Sequence, residues 1–351
     1  MRKFIIIIIA VLMLTGCIRQ RLYIYNWEQY IPQSILAQFE REFNVRIIYD
    51  EFHSSEELYA NVISQRRPKW DIIFPCIDYA FIFMSRNMLE PLNHALIPNL
   101  RNIDPAIPAL IAYDLSMSYI VPFYMGATGI AVNTTKVSEF ERTWNIFSRT
   151  DIPGRMAMLD DMREVIGAAL NYLGYCINTT YLNEINTAKN FIIENWKPNI
   201  VFEDQSQQFA NGEVWIIQTF AENVYQLIKD DEEMMANTLF FIPDNSFSYI
   251  DVMGILRTSR NKELAHQFIN FIHRPTVYAQ LCDAFNFPSV VNVPARELRT
   301  EQSWYEKEDV QRTITTYIGV SFEYYIDAWY NYIRVNERNK TLERMIFNIR
   351  F

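Results

Sequence analysis

The chain has 351 residues, half of them hydrophobic and 15% aromatic, which is more than one ordinary core takes and points to two globular domains. That composition excludes a disordered or fibrous chain. A net charge of −9 without a basic stripe excludes nucleic acid as a partner and agrees with a cationic one.

The first residues carry a leader pattern. Arg2 and Lys3 precede an unbroken apolar run, Phe4 to Leu14, long enough for an export signal and short for a membrane span. The run ends in Leu14-Thr15-Gly16-Cys17, which resembles the lipobox of bacterial lipoproteins. The expectation is a signal peptide over 1–16 and a lipid anchor on Cys17; a short buried element ending in cysteine is the other reading. Loss of Arg2 and Lys3 would move the net charge from −9 to −11. Cys76, Cys176 and Cys282 remain. An odd number in an exported chain leaves at least one free or bonded to another molecule, and their spacing matches no zinc motif. They read as small, half-buried hydrophobes.

Short strands and helices then alternate. Leu22 to Trp27 reads as a strand, Pro32 to Phe43 as a helix with Ile35, Leu36, Phe39 and Phe43 on one face, and Val45 to Tyr49 as a strand. Ser54 and Glu57 have the spacing of a capping box opening a helix through Leu58 and Val62, and Trp70 to Phe74 is a third strand. Such a β-α-β-α-β series implies parallel strands, with ligands outside their carboxyl ends. Here those ends are Tyr25-Asn26-Trp27 and Pro75-Cys76-Ile77-Asp78. Further on, Ile120 to Asn133 reads as an extended segment interrupted at Gly126. Helices are expected over Asp161–Leu173, Leu182–Asn195 and Leu264–His273, the last stopped near Pro275. Val214 to Thr219 and Asp251 to Leu256 read as strands, and the aromatic-rich Ser321 to Arg334 as a helix. No Gly/Ser linker separates the domains, so the chain is expected to cross between them more than once.

Several blocks together resemble a known family. They are Tyr25-Asn26-Trp27-Glu28-Gln29-Tyr30, Trp70-Asp71-Ile72-Ile73-Phe74-Pro75, the run from Met125-Gly126-Ala127-Thr128 to Asn133, Leu159-Asp160-Asp161-Met162-Arg163-Glu164-Val165 with Leu173-Gly174-Tyr175, Asn211-Gly212-Glu213-Val214, and the run from Ile269 to Pro275. In this order they resemble the spermidine/putrescine-binding proteins of ABC importers, over Tyr23 to Arg334. The resemblance implies an α/β, two-lobed type II periplasmic-binding-protein fold. Each lobe would be a mainly parallel sheet flanked by helices, with a ligand cleft between the lobes. The expected division is 17–127 and 251–294 in one lobe, 128–250 and 295–335 in the other, and a tail over 336–351. The resemblance also implies hinge closure, with Gly126-Ala127-Thr128 as a candidate hinge, and delivery of the ligand to an ABC permease in the inner membrane. It implies a binding protein, not an enzyme, on the periplasmic side of a bacterial membrane, with no cofactor and no metal.

A polyamine needs carboxylates for its amines and flat apolar walls for its methylenes, and aromatic faces serve both. The resemblance carries ligand-binding roles to Trp27, Tyr30, Cys76, Asp78, Asp161, Glu164, Phe220, Tyr249, Asp251 and Phe287. Each has an ordinary reading beside it. Trp27 and Tyr30 are also plausible core aromatics, and Asp161-x-x-Glu164 at a helix start is also a capping box. Asp251, at the start of an apolar strand, needs a cationic partner, either the ligand or an arginine. Cys76 stands where the family has a small hydroxyl residue, and Asp78 where it has a ring, although a slip of one residue would bring Tyr79 there. Phe220 and Tyr249 replace tryptophans and Phe287 a tyrosine, so the box stays aromatic but loses indole faces.

Two other classes are weighed against binding. An exported enzyme finds little support: His53, His94, His266 and His273 form no metal motif, and no nucleophile elbow, P-loop or dinucleotide fingerprint is present. A binding protein for another small organic cation, or a surface lipoprotein that keeps the fold for interaction, remains an alternative.

Overall fold

Strand β1 (Arg21–Trp27) pairs in parallel with β2 (Arg46–Phe52), Arg21 opposite Arg46 and Trp27 opposite Phe52, and on its other side with β3 (Ile72–Ile73). These belong to a computed structural model that describes residues 19–28, 30–111, 113–315 and 322–333. The expected leader, the lipid-bearing Cys17 and the tail over 336–351 lie outside the described residues. Helix α1 (Gln33–Phe43) links β1 to β2, with Pro32 at its N-cap, where a missing N–H is harmless. Its periodic apolar face buries Ile35, Leu36 and Phe39, as the spacing predicts. Helix α2 (Ser55–Ile63) begins where the capping signal stands. Ser54 Oγ accepts the Glu57 N–H at 3.1 Å, but the Glu57 carboxylate accepts from the His53 N–H, one residue before the cap. Strand β3 is shorter than the apolar run around it. Asp71 and Phe74 nonetheless donate their N–H groups to the Tyr23 and Tyr25 carbonyls of β1. Cys76 is the N-cap residue of α3 (Ile77–Ser85).

Strand β4 (Ile120–Asn133) is buried at all 14 positions and runs without a break through Gly126, so the expected interruption is absent. After it come β5 (Met156–Met158), α4 (Met162–Tyr172), and α5 (Leu182–Phe191), which passes into a π-turn over Ile192–Trp196. Then follow β6 (Ile200–Phe202), β7 (Ile216–Phe220), α6 (Ala221–Ile228), β8 (Thr238–Phe241) and β9 (Phe247–Ile255). Helix α7 (Lys262–Ile272) ends before Pro275, but that proline opens α8 (Pro275–Phe285) rather than a loop. Proline has no N–H to lose in a first helical turn. Strand β10 (Ile314–Thr315) and helix α9 (Phe322–Ala328), with a π-turn over Trp329–Ile333, complete the described chain.

These elements form two compact units. The first takes the described residues up to Phe123 together with Val252–Leu281; the second takes Tyr124–Asp251 and the residues from Cys282 onward. The borders differ from the expected 127/128, 250/251 and 294/295, most of all the third. Residues from Cys282 onward are tied to the rest of the second unit: the Tyr305 and Tyr124 hydroxyls meet at 2.7 Å, and Phe287 lies on Tyr124.

In the first unit the strand order is β2-β1-β3-β9, with β3 and β9 antiparallel through Ile72 opposite Ile255. Phe39 of α1 packs against Phe268 and Phe271 of α7 at ring separations of 5.1 and 5.3 Å. His273 is fully buried and stacks on Tyr278, while His266 accepts from the Asn93 N–H, so both histidines pack and neither faces solvent. In the second unit the order is β4-β7-β5-β6, with β8 also on β4 and β10 on β9. Strands β5, β6 and β7 are parallel, and β4 runs antiparallel to β7 with Thr128 opposite Phe220. Its core gathers Trp144, Phe147, Ile166, Trp196, Phe247, Tyr325 and Trp329. Gly167 of α4 lets Phe247 lie directly on the helix, since a Cβ there would stand 2.2 Å from the ring.

The three described cysteines are free thiols. They are not uniformly half-buried as expected: Cys76 is intermediate, Cys176 exposed and Cys282 buried. Burial raises the Cys282 thiol to about 12, which keeps it protonated and inert.

Candidate functional site

In the first unit the candidate residues follow the carboxyl ends of parallel strands. Trp27 is the last residue of β1, and its ring lies 4.6 Å from Phe52, its partner on β2. Buried Asn26 prepares this end: its Oδ1 accepts the Trp27 N–H at 2.8 Å and its Nδ2 donates to the Tyr49 hydroxyl at 2.9 Å. Tyr25 stacks on Trp70 at 4.0 Å beneath them. Tyr30 is half-buried, with its ring 5.6 Å from Phe123. Past β3, Cys76 caps α3 with its Sγ 3.4 Å from Ser55 Oγ, and Asp78 lies in the first turn of that helix, where the dipole favours an acid. Asp78 and Tyr79 are both half-buried, and the Tyr79 ring meets Tyr59 at 6.0 Å.

In the second unit, Asp161 and Glu164 follow β5. Asp161 is exposed and is the N-cap of α4: its Oδ1 accepts the Arg163 N–H at 2.7 Å and the Glu164 N–H at 3.1 Å. The capping reading therefore holds for Asp161. Glu164 differs. It is 8% exposed, and its Oε2 is buried with no hydrogen-bond partner. Burial first, and the Asp161 carboxylate second, push its acid up to about 8. The neighbouring Thr128 hydroxyl, whose geometry falls short of a full hydrogen bond, and Arg163 act the other way and do not prevail. Arg163 itself donates to Asn178 at 3.0 Å and lies over the Tyr325 ring at 4.4 Å.

Tyr124 joins the predicted Phe220, Tyr249 and Phe287 of this unit into a continuous aromatic line. Phe220 meets Tyr249 edge-on at 5.1 Å, Tyr249 meets Tyr124 at 5.8 Å, and Tyr124 meets Phe287 at 3.7 Å. Phe220 and Tyr249 are half-buried, whereas Phe287 is 1% exposed, so it supports the line from inside. Asp251, the last residue of the unit on β9, is buried.

Three residues escaped the sequence reading. Tyr124 and Tyr305 are fully buried and join hydroxyl to hydroxyl at 2.7 Å. Glu222, in the first turn of α6, is 8% exposed and accepts the Tyr249 hydroxyl at 2.8 Å. An acid in a first turn reads in sequence as a dipole partner, and nothing local links it to Tyr249. Among the described residues, no group of three or more His, Cys, Asp or Glu is placed to hold a metal.

The family described as bacterial extracellular solute-binding protein matches residues 34–306. The chain belongs to this family. Its members bind solutes outside the cytoplasm, which agrees with the expectation of an exported binding protein over an enzyme. The chain is 28% identical to the spermidine/putrescine-binding periplasmic protein of Escherichia coli over 281 residues, 79% of each chain. It is 26% identical to the putrescine-binding periplasmic protein PotF of that organism over 320 residues, 85% of this chain and 86% of that one. Among solved structures, the TpPotD lipoprotein of Treponema pallidum superposes with a TM-score of 0.86 at 38% identity, covering 90% of this chain and 99% of that one. PotD from Streptococcus pneumoniae gives a TM-score of 0.77 at 26% identity, covering 89% and 98%. The two-lobed type II binding-protein fold expected from the sequence is thus the fold of these neighbours. No helix among the described residues is long and apolar enough to cross a membrane.

Proposed function

We propose that this solute-binding protein captures polyamines of the putrescine/spermidine class and delivers them to an ABC permease in the inner membrane. The observation that carries the reading is Glu164, a buried carboxylate whose Oε2 has no partner, placed past the carboxyl end of β5 in the unit that also carries the line of aromatic rings. Leaving such a group buried without a cation is costly, and an ammonium group removes the cost. The aromatic rings suit the methylenes between amines. The similarity to proteins named for binding spermidine and putrescine supports the same class of ligand.

In this reading Trp27, Tyr30, Cys76 and Asp78 of the first unit and Asp161, Glu164, Phe220, Tyr249 and Asp251 of the second take part in holding the ligand. Phe287 acts by backing Tyr124. The chain is anchored by a lipid on Cys17. The lipobox-like Leu14-Thr15-Gly16-Cys17 supports this, as does similarity to a treponemal lipoprotein.

The test is calorimetric titration of the chain lacking residues 1–17 with putrescine, spermidine and spermine, after unfolding and refolding to strip carried-over ligand. Saturable one-to-one binding that collapses in Glu164→Ala and Asp251→Ala is the expected result. No heat and no thermal shift with any of the three would overturn the polyamine assignment and favour another organic cation.

A further inference from the structure

We propose that Glu222 is a further ligand carboxylate of the same unit, forming with Tyr249 a seat for an ammonium group distinct from the one at Glu164. This rests on the polyamine reading above. Three observations lead to it.

The first is topology. Strands β5 and β7 are parallel neighbours, paired through Met156 opposite Ile216. Asp161 and Glu164 follow the carboxyl end of β5; Phe220 is the last residue of β7, and Glu222 follows it. Both acids therefore stand on the side of the sheet edge where α/β proteins bind ligands. Thr128 lies between them: it is opposite Phe220 in register, and its hydroxyl neighbours Glu164.

The second is an unmet need for charge. Glu222 Oε1 accepts from Tyr249, while Oε2 is buried with no hydrogen-bond partner. Among the described residues, the titratable groups shown to interact with it are the hydroxyls of Tyr249 on β9, Tyr124 on β4, and Tyr305. None of them brings a positive charge. A neutral glutamine would satisfy the Tyr249 hydroxyl equally well, so the carboxylate exceeds what packing requires. The third is position: Tyr249 also carries the edge contact with Phe220, so a cation at Glu222 would sit beside aromatic faces.

Burial raises the Glu222 acid above its ordinary range, against the hydrogen bond from Tyr249. The raised acid holds a larger share of proton in the empty protein than an exposed carboxyl would at the same pH, and an arriving ammonium draws that share down.

The experiment is titration of spermidine and putrescine into wild type, Glu222→Gln and Tyr249→Phe, each in two buffers of different ionisation enthalpy so that released protons are counted. Glu222→Gln is expected to weaken spermidine binding about tenfold or more and to release fewer protons, while melting no lower without ligand. Tyr249→Phe removes the bond that lowers the Glu222 acid, so it should bind more weakly and release more protons. That variant decides the matter if Glu222→Gln does not fold. Wild-type affinity and proton count in the folded variants would overturn the proposal while leaving the polyamine reading intact. A wild type that binds no polyamine would overturn both.

Discussion

A Cβ on Gly126 would stand 2.5 Å from the Tyr249 hydroxyl oxygen and 2.7 Å from that of Tyr124. Neither distance is a tolerable contact, and both rings are held: Tyr124 by Tyr305 and Phe287, Tyr249 by Glu222 and Phe220. Gly126 thus serves close approach in a fully extended strand. Gly126→Ala is expected to displace Tyr249, to lower stability by about 1–3 kcal/mol through overpacking, and to weaken ligand binding. Chemical denaturation together with titration checks this. An alanine variant with unchanged stability and affinity would show that the tyrosines shift freely.

Glu164 sets a pH dependence with a definite sign. Its acid stands at about 8 in the folded protein against 4.5 ordinarily, so the folded state holds the extra proton. Its contribution to the stability of the empty protein is complete below about 4.5 and is lost as pH rises through about 8. His273 acts on the acid side: burial lowers it to about 4, so its contribution is present above about 6.5 and is lost as pH falls through about 4. The difference in melting temperature between wild type and Glu164→Gln should therefore fall as pH rises from about 5 to about 8. Ligand affinity should run the other way, rising with pH and levelling near 8, because the ammonium needs the carboxylate. A flat difference across that range would contradict the assignment.

Asp161 separates capping from binding. Asp161→Ala removes the acceptor for two N–H groups and should cost about 1 kcal/mol of stability. Asp161→Asn keeps a good cap and removes only the charge, so it should fold as wild type and bind the cation more weakly. If the asparagine variant binds with wild-type affinity, Asp161 is a cap alone.

Cys17→Ala is expected to abolish lipid modification and release the chain from membranes on cell fractionation. Persistence of the variant in the membrane fraction would contradict the anchor.

Local signals were read well from the sequence. The apolar period of α1, the cap at Ser54 and the start of α4 at Asp161 depend on residues within one or two turns, and they appear within a residue or two of expectation. The parallel pairing of β1 with β2 and β3 followed from the alternation of strands and helices. The ordered blocks from Tyr25 to Pro275 carried the family and, through it, most of the candidate site.

Other features depended on side chains far apart in the chain. Pro275 reads as a stop, yet opens α8, because proline is compatible with both roles and only packing chooses. Asp161 and Glu164 look alike in sequence, but one caps in solvent while the other is buried with a bare oxygen. Glu222 meets Tyr249 because β7 and β9 are placed by separate pairings to β4, a register that no local pattern encodes. The sequence alone determined which residues are acids and rings and which strand ends carry them. The tertiary structure decided which acids lose water, because desolvation is set by every element that packs around a group, and only folding brings those elements together.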